Sequence, residues 1–418
     1  MTEQLTVRRN CRLCGSTKVV CSIPLAKVPI VSPNVGTEED DQGQTLTRIV
    51  APLDTYLCQD CGLIQLAHVV DPELIYRNYL YRTSVSLGLA EHFRELSEAV
   101  RSRLELKPGD LVVELGSNDG TLLAHFKDAG MRVQGVDPAE QIAAEATAKG
   151  VPTRAEFFGP KVAKEICESE GPARAVLSNN AMANIDDLGE ILAGVREVMA
   201  PDGAFIFETQ YALDVFEKTL LDVIYHEHIS TFSVQPVVHA FAQYGLTVFD
   251  AERIPTKGGS IRFWVQHEGG PWAVSARVQE LIALERNTGL YDLAYHKRFG
   301  DKIAGIKAEL HDLIADAKNS GRPIGAYGTS VGCAALIHQF ELEDKLDFLF
   351  DDTPFKDHLE GPGYRLPVYT AEGVIEHNPA LIIVLAWRYA ESIMEKHGKY
   401  IEQGGRFVVP LPELTVMP

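Results

Sequence analysis

Four consecutive side chains that can exchange protons form the densest chemical group of the chain: Tyr225, His226, Glu227 and His228. Neither a strand nor a helix can direct all of them toward one point, so at most two or three converge. Alternating pairs, His226 with His228 or Tyr225 with Glu227, are the simplest choices. Because the pKa of histidine lies near neutral pH, we expect acid–base catalysis here rather than a polar loop whose histidines cap a turn.

A glycine-rich loop provides a second candidate site. The strand-like run Leu111–Leu115 leads into the sequence Gly-Ser-Asn-Asp-Gly at residues 116–120, and the next apolar run ends at Asp137. Glycines let the backbone approach a ligand closely, and a carboxylate at the end of the next strand can accept ribose hydroxyls. The spacing differs from the G-x-G-x-x-G dinucleotide motif, and Asp119 places negative charge where an anion would bind. The loop therefore predicts a neutral or cationic nucleotide cofactor.

Two CxxC pairs, each followed by glycine, occur near the start of the chain: Cys11 with Cys14, and Cys58 with Cys61. Glycine permits the tight turn that points both thiolates of a pair inward, and four thiolates complete a tetrahedral zinc shell. A catalytic zinc would keep an open position and usually a histidine or carboxylate ligand. We therefore predict structural Zn²⁺, with a small β insertion between the pairs and no role for Cys21.

Length and charge limit the classes of function. The chain has 418 residues and a formal net charge of -19, which predicts more than one domain and disfavours nucleic acid as a partner. No uncharged apolar run is long enough to span a membrane, and the N-terminus lacks the pattern of a signal peptide. We expect a cytoplasmic enzyme without a membrane partner, and a monomer as the simplest assembly.

Alternating strand-like and helix-like runs must position these groups. Strand patterns over residues 111–114, 133–136, 175–178 and 204–208 alternate with helix patterns over 91–104, from 120, 139–148 and 188–199. Such alternation predicts a doubly wound, mainly parallel sheet. A helical connector over 273–318 precedes further strand patterns at 324–327, 348–350, 380–385 and 407–409.

These patterns predict a zinc-binding domain over residues 1–90, a cofactor-binding domain over 91–270, and a helical connector with a C-terminal α/β domain over 271–418. The C-terminal domain begins with a G-x-x-G-x-x-x-G pattern at residues 325–332. Because this pattern is not the dinucleotide motif, we expect the domain to bind part of the substrate rather than a dinucleotide.

The E-x-G-x-x-x-G loop and the acidic strand end resemble motifs I and II of class I S-adenosylmethionine-dependent methyltransferases. The order of motifs along the whole chain is similar to that of the nucleotide-sugar C-methyltransferases, which build branched deoxysugars. The motifs are the cysteine pairs, residues 79–86, 114–120, 225–228, 258–262 and 325–328, Asp351 with Lys356, Trp387, and residues 404–412. The resemblance implies an α/β fold, with a class I methyltransferase Rossmann-like domain, an N-terminal zinc-binding domain and a second, C-terminal Rossmann-like domain.

The resemblance also implies a reaction. A methyl group would pass from S-adenosylmethionine to the sugar carbon, C-3, beside the 4-keto group of a nucleotide-linked deoxysugar such as a TDP-4-keto-deoxyhexose. A base would remove the acidic proton from that carbon, and the enolate would attack the methyl group.

By motif position, His228 is the expected base, and Glu227 orients it or binds a sugar hydroxyl. Tyr225, Tyr79 and Tyr81 are expected to donate toward the sugar or the enolate oxygen. The asparagines after the strand at 175–178, which are Asn179, Asn180 and Asn184, are expected either to bind the cofactor or to form only a strand-end turn. The expected cofactor-binding residues are Glu114, Gly116, Asn118, Asp119, Gly120, Asp137, Asn179 and Asn180.

Three features depart from the family pattern: Asp357 and Arg388 stand where amides are expected, and residues 34–45 are unusually acidic. The alternatives are O-, N- or C-5 methylation of a sugar on the same scaffold, a zinc-ribbon RNA or protein methyltransferase, and an inactive scaffold. The acidity of the chain disfavours an RNA substrate, and the intact cluster at 225–228 disfavours an inactive scaffold.

Overall fold

The computed structural model describes residues 5–30, 50–77, 79, 81–85, 88–353 and 366–417. Several features of the sequence analysis lie outside the described residues. They are the acidic stretch 34–45, residues 80 and 86 of the motif at 79–86, Lys356 and Asp357. The chain divides into two compact units. The first combines residues up to Val20 with Tyr56–Leu213 and Glu227–Tyr291, and the second combines Cys21–Thr55, Asp214–His226 and the residues from Asp292 onward.

The elements are numbered in chain order. The strands are β1 (Leu5–Val7), β2 (Val19–Ile23), β3 (Lys27–Pro29), β4 (Val50–Pro52), β5 (Thr55–Cys58), β6 (Ile64–Leu66), β7 (His68–Val70), β8 (Leu111–Leu115), β9 (Arg132–Val136), β10 (Thr153–Arg154), β11 (Ala173–Asn179), β12 (Met199–Gln210), β13 (Ser230–Thr231), β14 (Leu246–Ile254), β15 (Ser260–His267), β16 (Ile324–Tyr327), β17 (Phe348–Asp351), β18 (Val368–Thr370), β19 (Leu381–Val384), β20 (Phe407–Val409) and β21 (Thr415–Met417). The helices are α1 (Pro72–Tyr76), α2 (Leu89–Arg103), α3 (Thr121–Asp128), α4 (Glu140–Ala148), α5 (Pro160–Glu170), α6 (Leu188–Val198), α7 (Ala212–Glu217), α8 (Val234–Ala242), α9 (Ala276–Thr288), α10 (Leu293–Lys318), α11 (Val331–Gln339), α12 (Gly373–His377), α13 (Ala390–Lys396) and α14 (Gly398–Glu402).

The main sheet of the first unit has the strand order β10-β9-β8-β11-β12-β15-β14. The strands from β10 to β12 are parallel, whereas β15 runs antiparallel to both of its neighbours. The predicted doubly wound, mainly parallel sheet is therefore confirmed. The sequence patterns did not predict the β14–β15 pair or helix α5. The connection between β14 and β15 spans only residues 255–259, which favours antiparallel pairing because a parallel pair needs a long crossover.

Apolar residues on two helices cover one face of this sheet. Phe93 and Val100 of α2 pack in one core with Leu122 and Phe126 of α3 and with Trp264 of β15. Every residue of β8 is buried, as expected for a central parallel strand with helices on both faces. The residues that follow β8 are consequently held at a fixed edge of the sheet.

The second unit contains a further α/β sheet, with the order β18-β17-β16-β19-β20-β21. Its strands are parallel except for β21. The strand patterns at 324–327 and 407–409 coincide with β16 and β20. The prediction of a second Rossmann-like region is therefore confirmed.

Short strands flank the cysteine pairs along the sequence. Strands β3 and β4 pair between them, which confirms the predicted β insertion, and β6 pairs with β13. Among the described helices, none combines the length and the apolar character that a membrane crossing needs.

Candidate active site

The four cysteines of the two CxxC pairs form one cluster. The Sγ atoms of Cys11 and Cys61 lie 3.6 Å apart, those of Cys14 and Cys58 lie 3.7 Å apart, and all four atoms lie within 4.8 Å of one another. A tetrahedral zinc with Zn–S bonds of about 2.3 Å requires S···S distances of about 3.8 Å. The cluster therefore fits Zn²⁺, and exposed Cys21 is not part of it.

The loop at residues 116–120 has the conformation that its glycines permit. Gly116 and Gly120 have φ angles of 68° and 76°, and a Cβ on Gly116 would lie 2.7 Å from the Cβ of Ala181. Side chains are disfavoured at such φ angles, and this position has no room for one. The loop therefore brings bare backbone to the carboxyl edge of the sheet, immediately before helix α3.

Glu114 is a buried acid immediately before this loop. Its side chain is 2 % exposed, its Oε1 accepts a 3.4 Å hydrogen bond from the Asn179 amide, and its Oε2 has no partner among the described residues. Burial raises the pKa of Glu114 well above its usual range. An unsatisfied buried acceptor is costly, so the site suits a ligand that brings a hydrogen-bond donor.

Asp137 lies just after β9 and connects the loop to the next turn. One carboxylate oxygen accepts from the backbone N–H of Asn118 and the other from that of Ala139, both at 2.9 Å. Burial raises the pKa of Asp137. Because each oxygen has more than one acceptor position, the carboxylate can also accept ribose hydroxyls.

The side chains of Asn118 and Asp119 bind an earlier part of the chain, residues 81–84. The Asn118 amide donates to the carbonyl of Tyr81 at 2.9 Å and accepts from the N–H of Thr83 at 2.8 Å. Asp119 accepts from the N–H of Ser84 at 3.1 Å. At these two positions, contact with a cofactor would therefore be made chiefly by the backbone.

Asn179 and Asn180 follow β11 at the same edge of the sheet. Asn180 has a φ of 56°, and its backbone N–H donates to the carbonyl of Glu208 on β12 at 2.8 Å. Asparagine tolerates this left-handed conformation better than most residues. The chain therefore bends at Asn180, and Asn179 lies beside Glu114.

Glu227 and His228 contact different partners in the first unit. The Tyr79 hydroxyl donates to Oε2 of Glu227 at 3.1 Å, whereas Oε1 has no partner among the described residues. Burial raises the pKa of Glu227 to about 7, although the bond from Tyr79 lowers it. The His228 ring lies 3.2 Å from the side-chain nitrogen of Gln210, the last residue of β12.

The other two members of the cluster lie on the second-unit side of the division. His226 is buried, and its Nε2 lies 3.1 Å from the carbonyl of Ala51. Tyr225 also belongs to the second unit and is partly exposed. His226 thus contacts Ala51, and His228 contacts Gln210.

The chain is similar in sequence to known proteins over nearly its whole length. Family models match a zinc binding domain over residues 11–76, a methyltransferase domain over 89–251 and a C-methyltransferase C-terminal domain over 255–412. The C-methyltransferase NovU of Streptomyces niveus is 34% identical over 409 residues, covering 98% of this chain and 96% of the relative. This chain belongs to the S-adenosylmethionine-dependent C-methyltransferase family.

Two solved structures each match less than half of this C-methyltransferase. Magnesium protoporphyrin IX methyltransferase from Synechocystis, with bound SAH, has a TM-score of 0.33 and 15% identity, covering 43% of this chain and 83% of that chain. An S-adenosylmethionine-dependent methyltransferase from Clostridium acetobutylicum has a TM-score of 0.34 and 11% identity, covering 44% and 92%. The C-methyltransferase has a class I methyltransferase fold, uses S-adenosylmethionine and carries its zinc site on the four cysteines.

Two features of the C-methyltransferase site were missed by sequence reasoning. Gln210 contacts His228, and its only sequence signal was its position at the end of a strand pattern. A cavity of about 400 Å³ opens beside Arg77, whose guanidinium lies over the ring of Phe157 and donates to the carbonyl of Pro138, next to Asp137. The residues lining it are Arg77, Ala155, Glu156, Phe157, Gly159, Pro160, Lys161, Val162 and Glu190. Most of these residues follow β10, a strand of two residues that leaves no periodic signal in the sequence.

Proposed function

We propose that this C-methyltransferase methylates a sugar carbon, C-3, beside the 4-keto group of a nucleotide-linked deoxysugar, through an enolate formed by a protein base. The observation that carries the proposal is the placement of Glu227 and His228. They lie with Tyr79 and Gln210 at the sheet edge that also bears the glycine loop. A base and a buried acid beside a methyl-donor site suit a carbon acid as acceptor.

The base we assign is His228. Its ring is partly exposed, so a substrate can reach it, and the Gln210 amide fixes its position. Free imidazole already titrates near neutral pH, which favours both the removal and the return of a proton. His228 would remove the proton from the carbon next to the ketone and keep it while the enolate forms.

Glu227 and Tyr79 would bind the sugar beside that carbon. With a pKa of about 7, Glu227 is protonated in a large part of the molecules at neutral pH and can donate a hydrogen bond. A donor directed at the ketone oxygen would stabilise the negative charge of the enolate. Tyr225 and Tyr81 remain assigned to the sugar by motif position.

The glycine loop would hold the cofactor. S-adenosylmethionine supplies an electrophilic methyl group when bound. We assign its ribose to Asp137, its amino group to the unsatisfied oxygen of Glu114, and close backbone contact to Gly116 and Gly120. The cavity beside Phe157 is the candidate site for the adenine, because Arg77, which lines it, donates to the carbonyl of the residue that follows Asp137.

Incubation with methyl-labelled S-adenosylmethionine and a panel of 4-keto nucleotide sugars tests the proposal. We expect label in the product only when a ketone flanks the accepting carbon, and NMR should show a methyl singlet on a quaternary carbon. The matched control is the same sugar with the ketone reduced to a hydroxyl, which lacks the acidic proton and should accept no label. Label in that control, or an O-methyl or N-methyl signal, would contradict the proposal.

A further inference from the structure

Arg12 lies inside the first cysteine pair, yet its side chain is directed away from the metal cluster and into the protein. The side chain is 0% exposed. Its guanidinium donates to the carbonyl of Ile229 through a short hydrogen bond, to the carbonyl of Leu66 at 2.8 Å, and to the carboxylate of Asp186 at 3.2 Å. All of these residues belong to the first unit. One planar guanidinium therefore links the cysteine loop to three other segments.

Burying the positive charge of Arg12 costs free energy, so its surroundings must compensate for it. The Asp186 carboxylate, 3.2 Å from the guanidinium, provides a counter-charge. At neutral pH the guanidinium is still charged. A buried cation is tolerated only where hydrogen bonds and a counter-charge satisfy it, and Arg12 has both.

The segment held most directly is the one that carries His228. The carbonyl of Ile229, the next residue, accepts both from Arg12 and from the backbone N–H of Leu66 at 2.9 Å. Strand β13 then pairs with β6, with Ser230 opposite Gln65. The Gln65 side chain in turn accepts from the backbone N–H of Arg12 at 3.0 Å. The backbone beside His228 is thus fixed by the segments that bear the cysteines.

We propose that Arg12 is a positioning residue for His228, holding the Ile229 carbonyl so that the imidazole stays in contact with Gln210. The inference rests on the proposed function, since it assumes that His228 is the base. It also assigns a catalytic consequence to the zinc-binding segment, which otherwise has only a structural one. Arg12 itself touches no reacting atom.

The conservative variant Arg12→Lys tests this role. Lysine keeps the charge but lacks the planar set of donors that reaches several acceptors at once. We expect the rate of solvent-deuterium exchange at the carbon next to the ketone to fall by roughly tenfold or more, because small displacements of a catalytic group have large effects on rate. The affinity for S-adenosylmethionine by calorimetry and the zinc content should remain those of the unsubstituted protein. The NMR signals of the His228 ring should shift.

Arg8→Lys is the matched control. Arg8 also pairs with Asp186, at 2.7 Å, but no contact joins it to Ile229 among the described residues. We expect its exchange rate to be unchanged. An equal loss in Arg8→Lys, or a normal exchange rate and unshifted His228 signals in Arg12→Lys, would overturn the inference.

A further variant guards against a simple folding defect. If Arg12→Ala loses exchange because the guanidinium is missing, added guanidinium ions at millimolar concentration should restore part of the rate; no restoration in a variant that retains zinc would count against the inference. His228→Ala is measured in parallel. Normal exchange in His228→Ala overturns the base assignment itself, whereas loss in His228→Ala with normal exchange in Arg12→Lys overturns only the role of Arg12.

Discussion

Two glycine loops follow the first strand of two parallel sheets in this chain, and they use the same topology differently. The first loop, residues 116–120, follows β8, and Asp137 follows the neighbouring strand β9. The second loop, residues 328–332, follows β16, and Asp351 ends the neighbouring strand β17. In both, the acid accepts from a backbone N–H of the loop: Asn118 in the first and Thr329 in the second.

In both loops the chain itself packs against glycines, including Gly116 against Ala181 in the first loop, so the difference lies in how far each acid is already satisfied. In the second loop, a Cβ on Gly328 would lie 2.9 Å from the Cβ of Ala386, and one on Gly332 would lie 2.5 Å from the carbonyl oxygen of Asp222. Asp351 accepts from both the N–H and the hydroxyl of Thr329 through one oxygen, and from Thr353 through the other. The protein's own groups thus meet the glycines and the acid of this loop.

The acids beside the first loop can accept further hydrogen bonds. Its flanking acid Glu114 has a free oxygen among the described residues, and each oxygen of Asp137 accepts one backbone N–H. Buried acceptors that the protein does not satisfy suit a ligand, whereas satisfied ones serve packing. A glycine-rich loop after a strand therefore predicts close backbone approach, but the hydrogen-bond partners of the neighbouring acid decide whether a ligand can bind there.

The largest predicted contrast between the two regions concerns proton abstraction. His228→Ala should lower solvent-deuterium exchange at the carbon next to the ketone by roughly a hundredfold or more, the usual scale for loss of a general base. His397, buried beside the Tyr327 hydroxyl in the second unit, is the matched histidine. His397→Ala should exchange at nearly the normal rate. Exchange by NMR in deuterated water decides between them, and a greater loss in His397→Ala would reverse the comparison.

Cofactor affinity should separate the two acids. Asp137→Ala removes the proposed ribose acceptor and should weaken S-adenosylmethionine binding by roughly tenfold to a hundredfold, since hydrogen bonds to a charged group contribute about 1.5–3 kcal/mol. Asp351→Ala should leave that affinity unchanged and lower only the melting temperature of the protein. Titration calorimetry with both variants measures the contrast. Equal affinities in the two variants would remove the ribose role from Asp137.

Sequence patterns predicted the parts of this molecule that depend on local periodicity or on residue type. The strands β16 and β20 matched to the residue because each is a short apolar run, and the cysteine cluster followed from the CxxC spacing. The uses of Asn118, Asp119 and Gln210 were not predictable in the same way. Their side chains meet residues 81–84 and His228, which are distant in sequence, and such contacts leave no periodic signal.

The smallest contrast concerns pH, and its sign differs between the two units. Burial raises the pKa of Glu227 to about 7, so its ionisation destabilises the fold as pH rises from the usual range of a glutamate through 7. In the second unit, burial raises the pKa of Asp352. Hydrogen bonds from Lys396 and Tyr327 outweigh this effect, so the pKa of Asp352 lies below its usual range. That carboxylate therefore contributes stability at neutral pH, which is lost as pH falls through its folded-state pKa.

Two conservative variants turn this difference of sign into a measurement. Glu227→Gln removes the ionisation of a buried group, so the melting temperature should rise by a few degrees at pH 8 and stay nearly unchanged at pH 4.5. Asp352→Asn removes a paired carboxylate and should lower the melting temperature at pH 8 and also at pH 4.5, because the pKa of Asp352 lies below the usual range of an aspartate. Thermal unfolding of both variants at the two pH values is sufficient. If Glu227→Gln were less stable at pH 8, the carboxylate would have to be stabilised by its surroundings, and the acid-donor role proposed for Glu227 would fail with it.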